Sequence, residues 1–452
     1  MAKVFFVNLG CVKNLVDSEH MLGLIKEEGY EITDDPLDAE IAIVNTCAFI
    51  KSAVEESIDT ILDLASSKEK GHLRSLLVVG CFVQRYGRKL LREIPGVDGW
   101  LGTGQIYRIC EVLRAQGDNS PAIFLDRPNF LADHRVPRVQ TTPFYSAYLK
   151  IAEGCSHPCS YCIVPSLRGP FRSRAVDSLF IEAKKMVERG VREINLVAQD
   201  TSRYGHDLEP PCTLEDLLEK LLSISGLKWL RIPYAHPYRL TERLLDLIDS
   251  EEVLCPYLDV PIQHINPDIL SAMGRPLDSE SIPQLIERIR RRSRKIAIRT
   301  TVMIGFPGET EEQFRELCAF IREAKFDRLG VFSFSPEKGT PAARLKDNIP
   351  QEVVERRIEE IMEIQAGNSR ELNKELVGKT VPVLIERLHP ETDLLLSGRT
   401  ATMAPDIDGQ VLINNGFALV GEIVPVQITE AHTYDLVGAI ERGPPSYPVP
   451  GK

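Results

Sequence analysis

The chain has 452 residues, 43% of them hydrophobic and 26% charged, with a formal net charge of −11. That length exceeds what one ordinary core supports, so two or three domains are expected, and the composition fits a soluble globular protein. No run approaches ~18 uninterrupted apolar residues, which argues against a helical membrane span. The opening "MAKVFFVNLGC" also lacks the basic start, long apolar core and cleavage site of a signal peptide, so a cytoplasmic location is expected. In such a reducing compartment ten cysteines read as metal ligands or buried thiols rather than disulfides. The acidic balance counts against a general nucleic-acid binder and suits a basic protein partner.

From residue 1 to about 130, "KVFFVN", "EIAIVNTC" and "SLLVVGC" are short apolar runs of the kind buried as parallel strands. Helical patterns separate them, "DSEHMLGLIKEEGY" and "SAVEESIDTILDLASSKEK". The alternation predicts a small doubly wound parallel sheet. Cys11, Cys47 and Cys81 each stand where one of these strands ends. Ligands of open α/β sheets bind at the carboxyl ends of strands, so the order brings three distant cysteines to one edge. Three buried core cysteines are the plainer alternative. The segment "DRPNFLADHRVPRVQTTPF" is rich in proline and polar residues and predicts an extended connection, with the linker set at 131–142.

Residues 143–376 alternate again. Strands are expected in "AYLKIAEGC", "EINLVAQD", "LKWLRIPY", "YLDVPIQH", "IAIRTTVMIGF" and "RLGVFSFSP". Helices are expected over 176–189, 213–223, 240–250, 281–293 and 309–324. Six β/α units predict a full or partial parallel barrel, with chemistry at the carboxyl ends of its strands. Just after the first strand, "EGCSHPCSYCIVP" sets Cys155, Cys159 and Cys162 in a C-x3-C-x2-C spacing. A structural zinc site would be closed by four ligands, and His157, on a tight turn between two cysteines, is a poor fourth donor. Thiolates in such a run also suit an iron–sulfur cluster, where three cysteines would leave one iron of a [4Fe–4S] cube without a protein ligand.

Residues 377–442 change character: short strands with Gly and Asn turns predict a small five-stranded barrel. From Lys379 to Glu441 there are three basic residues and nine acidic ones. The tail 443–452, "GPPSYPVPGK", is expected to lack regular structure.

The cysteine spacing, with the aromatic Tyr161 directly before the last thiol, resembles the radical S-adenosylmethionine superfamily. "NLGCVKNLVDSE", "VNTCAFI", "VVGCFVQR", "IVPSLRGPFRSR", "LVAQDTSRYG", "PIQHINPDIL" and "IGFPGETEEQF" extend the resemblance to the methylthiotransferases over nearly the whole chain. It implies an α/β chain with an N-terminal methylthiotransferase domain (1–130), a radical SAM partial TIM-like barrel (143–376) and an OB-like TRAM domain (377–442). It further implies two [4Fe–4S] clusters: one on Cys155, Cys159 and Cys162 whose open iron binds S-adenosylmethionine, and an auxiliary one on Cys11, Cys47 and Cys81 that carries sulfur. In the family, one cofactor molecule methylates that sulfur and a second yields the 5′-deoxyadenosyl radical. An electron donor such as flavodoxin or ferredoxin is implied as a partner.

The family divides between tRNA adenosines beside the anticodon and the β-carbon of an aspartate in small-subunit ribosomal protein number twelve. Phosphate-rich RNA demands basic surface, whereas an acidic third domain attracts a very basic ribosomal protein. "AQDTSRYG" and "EAHTYDLVGAIE" also resemble the protein-modifying branch, which is the expectation, with RNA contact secondary. A non-enzymatic iron–sulfur or zinc protein is the remaining reading; it leaves two open-cornered triads unexplained. Likeness turns Gln199 toward the cofactor's amino-acid end; Tyr161 and the strand-end Gln263 are the other cofactor candidates, and Arg168, by its place after the cluster loop, reads as a cation for the cofactor carboxylate or as a solvated loop arginine. Asp200 reads equally as a strand-end cap, and His264 as a residue behind the site. The glycines of "GFPGE" (305–309) allow close backbone approach, and the run 288–295, "RIRRRSRK", reads as a solvated helix face, with contact to ribosomal RNA as the alternative.

Overall fold

The computed structural model describes residues 2–115, 121–275, 280–389 and 392–440. The expected tail at 443–452 lies outside them. Two compact units form: Met1–Ser225 with Ser335–Arg344, and Gly226–Phe334 with Leu345–Lys452.

The first unit opens with β1 (Lys3–Asn8), α1 (Val12–Glu27), β2 (Glu31–Thr33), β3 (Ile41–Thr46), α2 (Lys51–Glu69), β4 (Ser75–Gly80), α3 (Cys81–Tyr86), α4 (Leu90–Glu93), β5 (Gly99–Leu101), α5 (Ile109–Arg114) and β6 (Ala122–Phe124). The strands make one parallel sheet in the order β2-β1-β3-β4-β5-β6. Side chains alternate across a strand, and both faces are buried here. Ile41, Ile43, Leu77 and Val79 pack with Met21 and Ile25 of α1 and with Ile109 and Val112 of α5. Ala42, Val44, Leu76 and Val78 pack on the other face with Ile61 of α2 and Phe82 of α3. Helices α1 and α2 thus cover opposite faces, and the strand order reverses between β1 and β3. β2, β5 and β6, at three residues each, are too short to show a period and enlarge the expected three-stranded sheet.

The same unit continues with β7 (Ser146–Lys150), β8 (Ala152–Glu153), α6 (Val164–Arg168), β9 (Arg172–Ser173), α7 (Val176–Glu188), β10 (Glu193–Val197) and α8 (Leu214–Leu222). β7 and β10 pair in parallel, and β8 and β9 form a short antiparallel ribbon. The expected connection before β7 is irregular but pinned. Arg138 donates to Glu19 of α1 and Glu182 of α7, both at 2.8 Å, and Glu19 accepts the Thr141 amide at 2.7 Å. The His20 ring Nδ1 lies 3.3 Å from the Pro137 carbonyl, to which it donates as the N–H tautomer.

The second unit holds β11 (Trp229–Ile232), α9 (Glu242–Ser250), β12 (Leu254–Asp259), α10 (Pro267–Ala272), α11 (Ile282–Arg290), β13 (Ala297–Ile304), α12 (Glu311–Ala324) and β14 (Arg328–Ser333). Its four strands are parallel in chain order. With β7 and β10, all six strands expected for a partial barrel are present. Helices start where polar side chains cap them: Ser281 with Gln284 and Thr310 with Gln313 form reciprocal capping boxes. A 24-residue helix follows, α13 (Gln351–Lys374), for which no expectation existed. Then β15 (Thr380–His389), β16 (Thr392–Thr400), β17 (Val411–Asn415), β18 (Ile423–Ala431) and β19 (Leu436–Ile440) close the expected five-stranded barrel around Val383, Ile385, Val411, Val426 and Leu436. The basic run is a paired face: Arg288 meets Glu242 and Glu280, Arg290 meets Asp327, and Lys295 meets Glu375.

Acid should loosen the pinned connection in two stages. Burial and the Arg138 charge hold the His20 ring down at about 3, so its contribution is present above the unfolded value of 6.5 and declines as pH falls below it. Burial raises Glu182, but Arg174 and Arg138 outweigh it and hold the carboxyl at about 2, so that contribution is lost only between 4.5 and 2. The urea midpoint of wild type should fall between pH 7 and pH 5, and His20→Asn, which keeps a donor for Pro137, should flatten that slope.

Candidate metal centres

β1, β3 and β4 are neighbours, so their carboxyl ends deliver Cys11, Cys47 and Cys81 to one edge beside the reversal of strand order. Gly10 has φ +93°, and a Cβ there would come within 2.7 Å of the Cys47 Cβ and 3.0 Å of its sulfur. Only glycine lets the Cys11 strand end approach Cys47 so closely. Asn14, in the first turn of α1, donates its amide to Leu9 O at 3.1 Å and Thr46 O at 2.9 Å. That fixes the amide so that its oxygen faces the triad, where it meets the Cys81 sulfur at 3.8 Å. Ser57 holds the Cys47 backbone through a 2.9 Å bond to its carbonyl.

Burial pushes the Cys81 thiol up to about 12, against the opposing pull of Arg168, and also raises Cys47. Desolvation raises Cys11 as well, but Lys13 and Arg168 outweigh it and hold that thiol below its usual value. All three cysteines are free thiols. Among the described residues, no three His, Cys, Asp or Glu side chains converge tightly enough for a single metal ion. A four-iron cube instead takes one thiolate per iron, with the ligands standing apart around it. Three thiols at one edge, Cys47 and Cys81 buried and Cys11 exposed, with a cation beside them, fit that group.

The second triad sits in the loop between β8 and α6. Gly154 has φ +74°, and a Cβ would collide with the Pro170 carbonyl at 2.1 Å, so the chain can enter this loop only through glycine. The Cys155 amide donates to Gly169 O at 3.0 Å and the Cys162 amide to Cys159 O at 3.1 Å, which closes the loop on itself. His157 and Asp200 lie 2.6 Å apart, Nε2 to Oδ2, and Asp200 accepts the Ser202 amide with its other oxygen. His157 therefore anchors the loop to the end of β10, and Asp200 takes the capping role. The Ala342 amide bonds Ser160 O at 2.9 Å, and Arg85 of α3 pairs with Glu337, so residues 335–344 strap this loop and the helix that begins at Cys81. Tyr161 and Gln199 are half-buried.

Buried charges that no motif announces join the two triads. Lys150 donates to both Asp17 and Glu153. Arg168 donates to Asp17 at 3.0 Å, to Glu153 at 3.2 Å and to the Asn14 oxygen. Those partners occupy both terminal nitrogens of Arg168, which directs it to the Cys11–Cys47–Cys81 edge rather than to a cofactor carboxylate. The signal available was Lys150 and Glu153 inside an otherwise apolar run.

In the second unit, Tyr234 after β11 has φ +58° and Gln263 after β12 has φ +67°, both strained for residues other than glycine. Gln263 is held by bonds of 2.8 Å from its amide to Thr301 O and from the Met303 amide to its own carbonyl. His264 is fully buried, its Nδ1 accepting the Asn266 amide at 2.9 Å. Glu309 accepts the Gly305 amide at 2.7 Å and fixes the "GFPGE" turn.

Family models match three stretches: uncharacterized protein family UPF0004 over 3–102, the radical SAM superfamily over 149–321 and a TRAM domain over 377–440. The ribosomal protein uS12 methylthiotransferase RimO of Pelobacter propionicus is 48% identical over 440 residues, covering 97% of this chain and 98% of that protein. RimO of Geobacter sulfurreducens is 49% identical over 439 residues, covering 97% and 98%. The radical S-adenosylmethionine methyltransferase TsrM of Kitasatospora setae, solved with cobalamin and a [4Fe–4S] cluster, has the same fold: TM-score 0.56, 16% identity, 88% of this chain and 81% of that one. After anaerobic reconstitution, Cys159→Ala and Cys81→Ala should each retain about half the wild-type iron, and the double variant almost none, read by iron per chain and visible absorbance.

Proposed function

This chain belongs to the RimO family of ribosomal protein uS12 methylthiotransferases, and from that membership we infer that it replaces a hydrogen on the β-carbon of a uS12 aspartate with a methylthio group. It is a radical SAM enzyme, with S-adenosylmethionine and a [4Fe–4S] cluster as cofactors. The observation that carries the reading is the pair of three-cysteine sets, each leaving one corner without a protein ligand, at two places that one buried charge network joins.

Cys155, Cys159 and Cys162 would hold the cluster that supplies the electron and, with S-adenosylmethionine, the 5′-deoxyadenosyl radical, while Cys11, Cys47 and Cys81 would hold a second cluster that supplies the sulfur. The protein's own part is to position and to shield. The loop at 154–163, closed by its backbone bonds and by His157 on Asp200, keeps three thiolates in one arrangement. Tyr161 and Gln199, beside that loop and at the end of β10, are assigned to the cofactor. Burial of Cys47 and Cys81 shields two of the three ligand sulfurs from water.

The substrate reading rests on relatives and on charge. The small barrel is acidic, which suits a basic ribosomal protein and opposes RNA. Two of its carboxylates are spent internally, Glu386 on Arg399 and Asp408 beside Arg299, and the remainder stays acidic. Among the described residues no helix is long and apolar enough to cross a membrane. We place the enzyme in the cytoplasm, acting on uS12 free or in the ribosome, with flavodoxin or ferredoxin as electron donor.

The test expresses the chain in a host stripped of its own methylthiotransferases and compares uS12 with digested tRNA by mass. A methylthio gain on a uS12 aspartate with tRNA unchanged is expected. A methylthio-adenosine with uS12 unchanged would move the substrate to tRNA.

A further inference from the structure

We propose that Arg168 is the positioning cation of the Cys11–Cys47–Cys81 cluster: carried in by the helix that follows Cys162, it raises that cluster's reduction potential and locks its ligand edge to the other cysteine loop. This rests on the reading that a second cluster occupies that edge.

Three observations converge on it. Arg168 is 4% exposed, at the last residue of α6. Ile163 and Leu167, from the same short stretch, pack into the core of the N-terminal sheet with Phe82, Val83 and Trp100, so the guanidinium is delivered to the triad rather than to solvent. Its Nη2 donates to the Asn14 oxygen, the same atom that meets the Cys81 sulfur, while Nη1 turns back to Asp17 and Glu153. The knot holds two cations and two anions, and its arginine is the member bonded to the Asn14 oxygen that meets the Cys81 sulfur.

A cluster held by three thiolates is anionic, and reduction adds one more negative charge. A buried cation stabilises the reduced state more than the oxidised one, and low local dielectric magnifies the difference. Asp17 works in the opposite sense. The guanidinium also makes the Asn14 bridge and both carboxylate bonds at once, a geometry the single ammonium of lysine does not reproduce.

The experiment uses the full chain with Cys155, Cys159 and Cys162 replaced by alanine, reconstituted anaerobically and titrated with EPR detection. About four irons per chain are expected in this background; none would refute the second cluster itself and leave Arg168 aside. Arg168→Met should move the midpoint potential negative, Asp17→Asn should move it positive, and Arg168→Lys should stay near the parent. A purely structural role predicts no such opposition of sign. Unchanged potentials, or shifts of the same sign in Arg168→Met and Asp17→Asn, overturn the proposal. Should Arg168→Met fail to hold iron, the isosteric Asp17→Asn decides by its sign alone.

Discussion

Four buried charges govern the first unit: Lys150, Asp17, Glu153 and Arg168. Each cation touches both anions, so the set is neutral and its Coulomb energy closes on itself. Removing ions from water is expensive, and such a group is as a rule no more stabilising than apolar side chains of equal volume. Loss of one member alone leaves an uncompensated buried charge, at a cost of about 3–5 kcal/mol. The knot therefore fixes position more than it adds stability. Asp17 lies one and a half turns into the helix that starts after Cys11, and Arg168 lies six residues after Cys162. Any shift of one cysteine site against the other must break these bonds, and the strap at 335–344 repeats the constraint through Glu337 and Ala342.

What the sequence made legible follows from how each feature is encoded. Strands β3 and β4 are buried on both faces, so they appear as unbroken apolar runs, and Cys47 and Cys81 stand directly at the end of each run. The C-x3-C-x2-C loop is local, and its spacing is its signature. Helix ends were readable to within about three residues where a Ser or Thr caps them. The short strands β2, β5 and β6 carry no period. Helix α13 begins after Pro350 with a charged stretch and buries Arg357, Gln365 and Asn368 among its contacts, so its inner face is polar and a search for apolar stripes passes over it.

The charge knot was hidden for a related reason. Helix α1 buries Asn14, Asp17, Ser18, Glu19 and His20 together with Val16, Met21 and Ile25. A helix buried nearly all round and yet rich in polar residues has no apolar stripe to orient it. Its polar face is instead matched, residue by residue, to groups over a hundred positions away: Asp17 to Lys150 and Arg168, Glu19 to Arg138 and Thr141. Such pairings are long-range complementarity, and no local window contains both halves. Arg168 illustrates the consequence. As a lone arginine after a cysteine loop it invited assignment to the nearest anion in sequence, the cofactor. In the fold its partners come from α1 and β8.

The two cysteine sets are alike in chemistry and unlike in surroundings. Around the first set, Lys13 and Arg168 favour the Cys11 thiolate and Arg168 also acts on Cys47 and Cys81, while Asp17 opposes it at Cys81 and burial raises those two thiols. At Cys155, burial raises the thiol first, Cys159 and the Asp200 carboxylate add to it, and the His157 amide and Arg203 oppose. Identical ligands in unlike fields give unlike potentials, because net charge and hydrogen bonds to sulfur are among the terms that set them. The division suits the work proposed for each site. A centre that must deliver an electron to a cofactor gains from a field that disfavours added negative charge on the ligands and so keeps its potential low. A centre that carries sulfur gains from a cation that keeps its thiolates bound and its charge settled. The cation at the first triad comes from the chain that holds the second, which leaves Cys162 and six residues later, as Arg168, bonds the Asn14 oxygen beside Cys81.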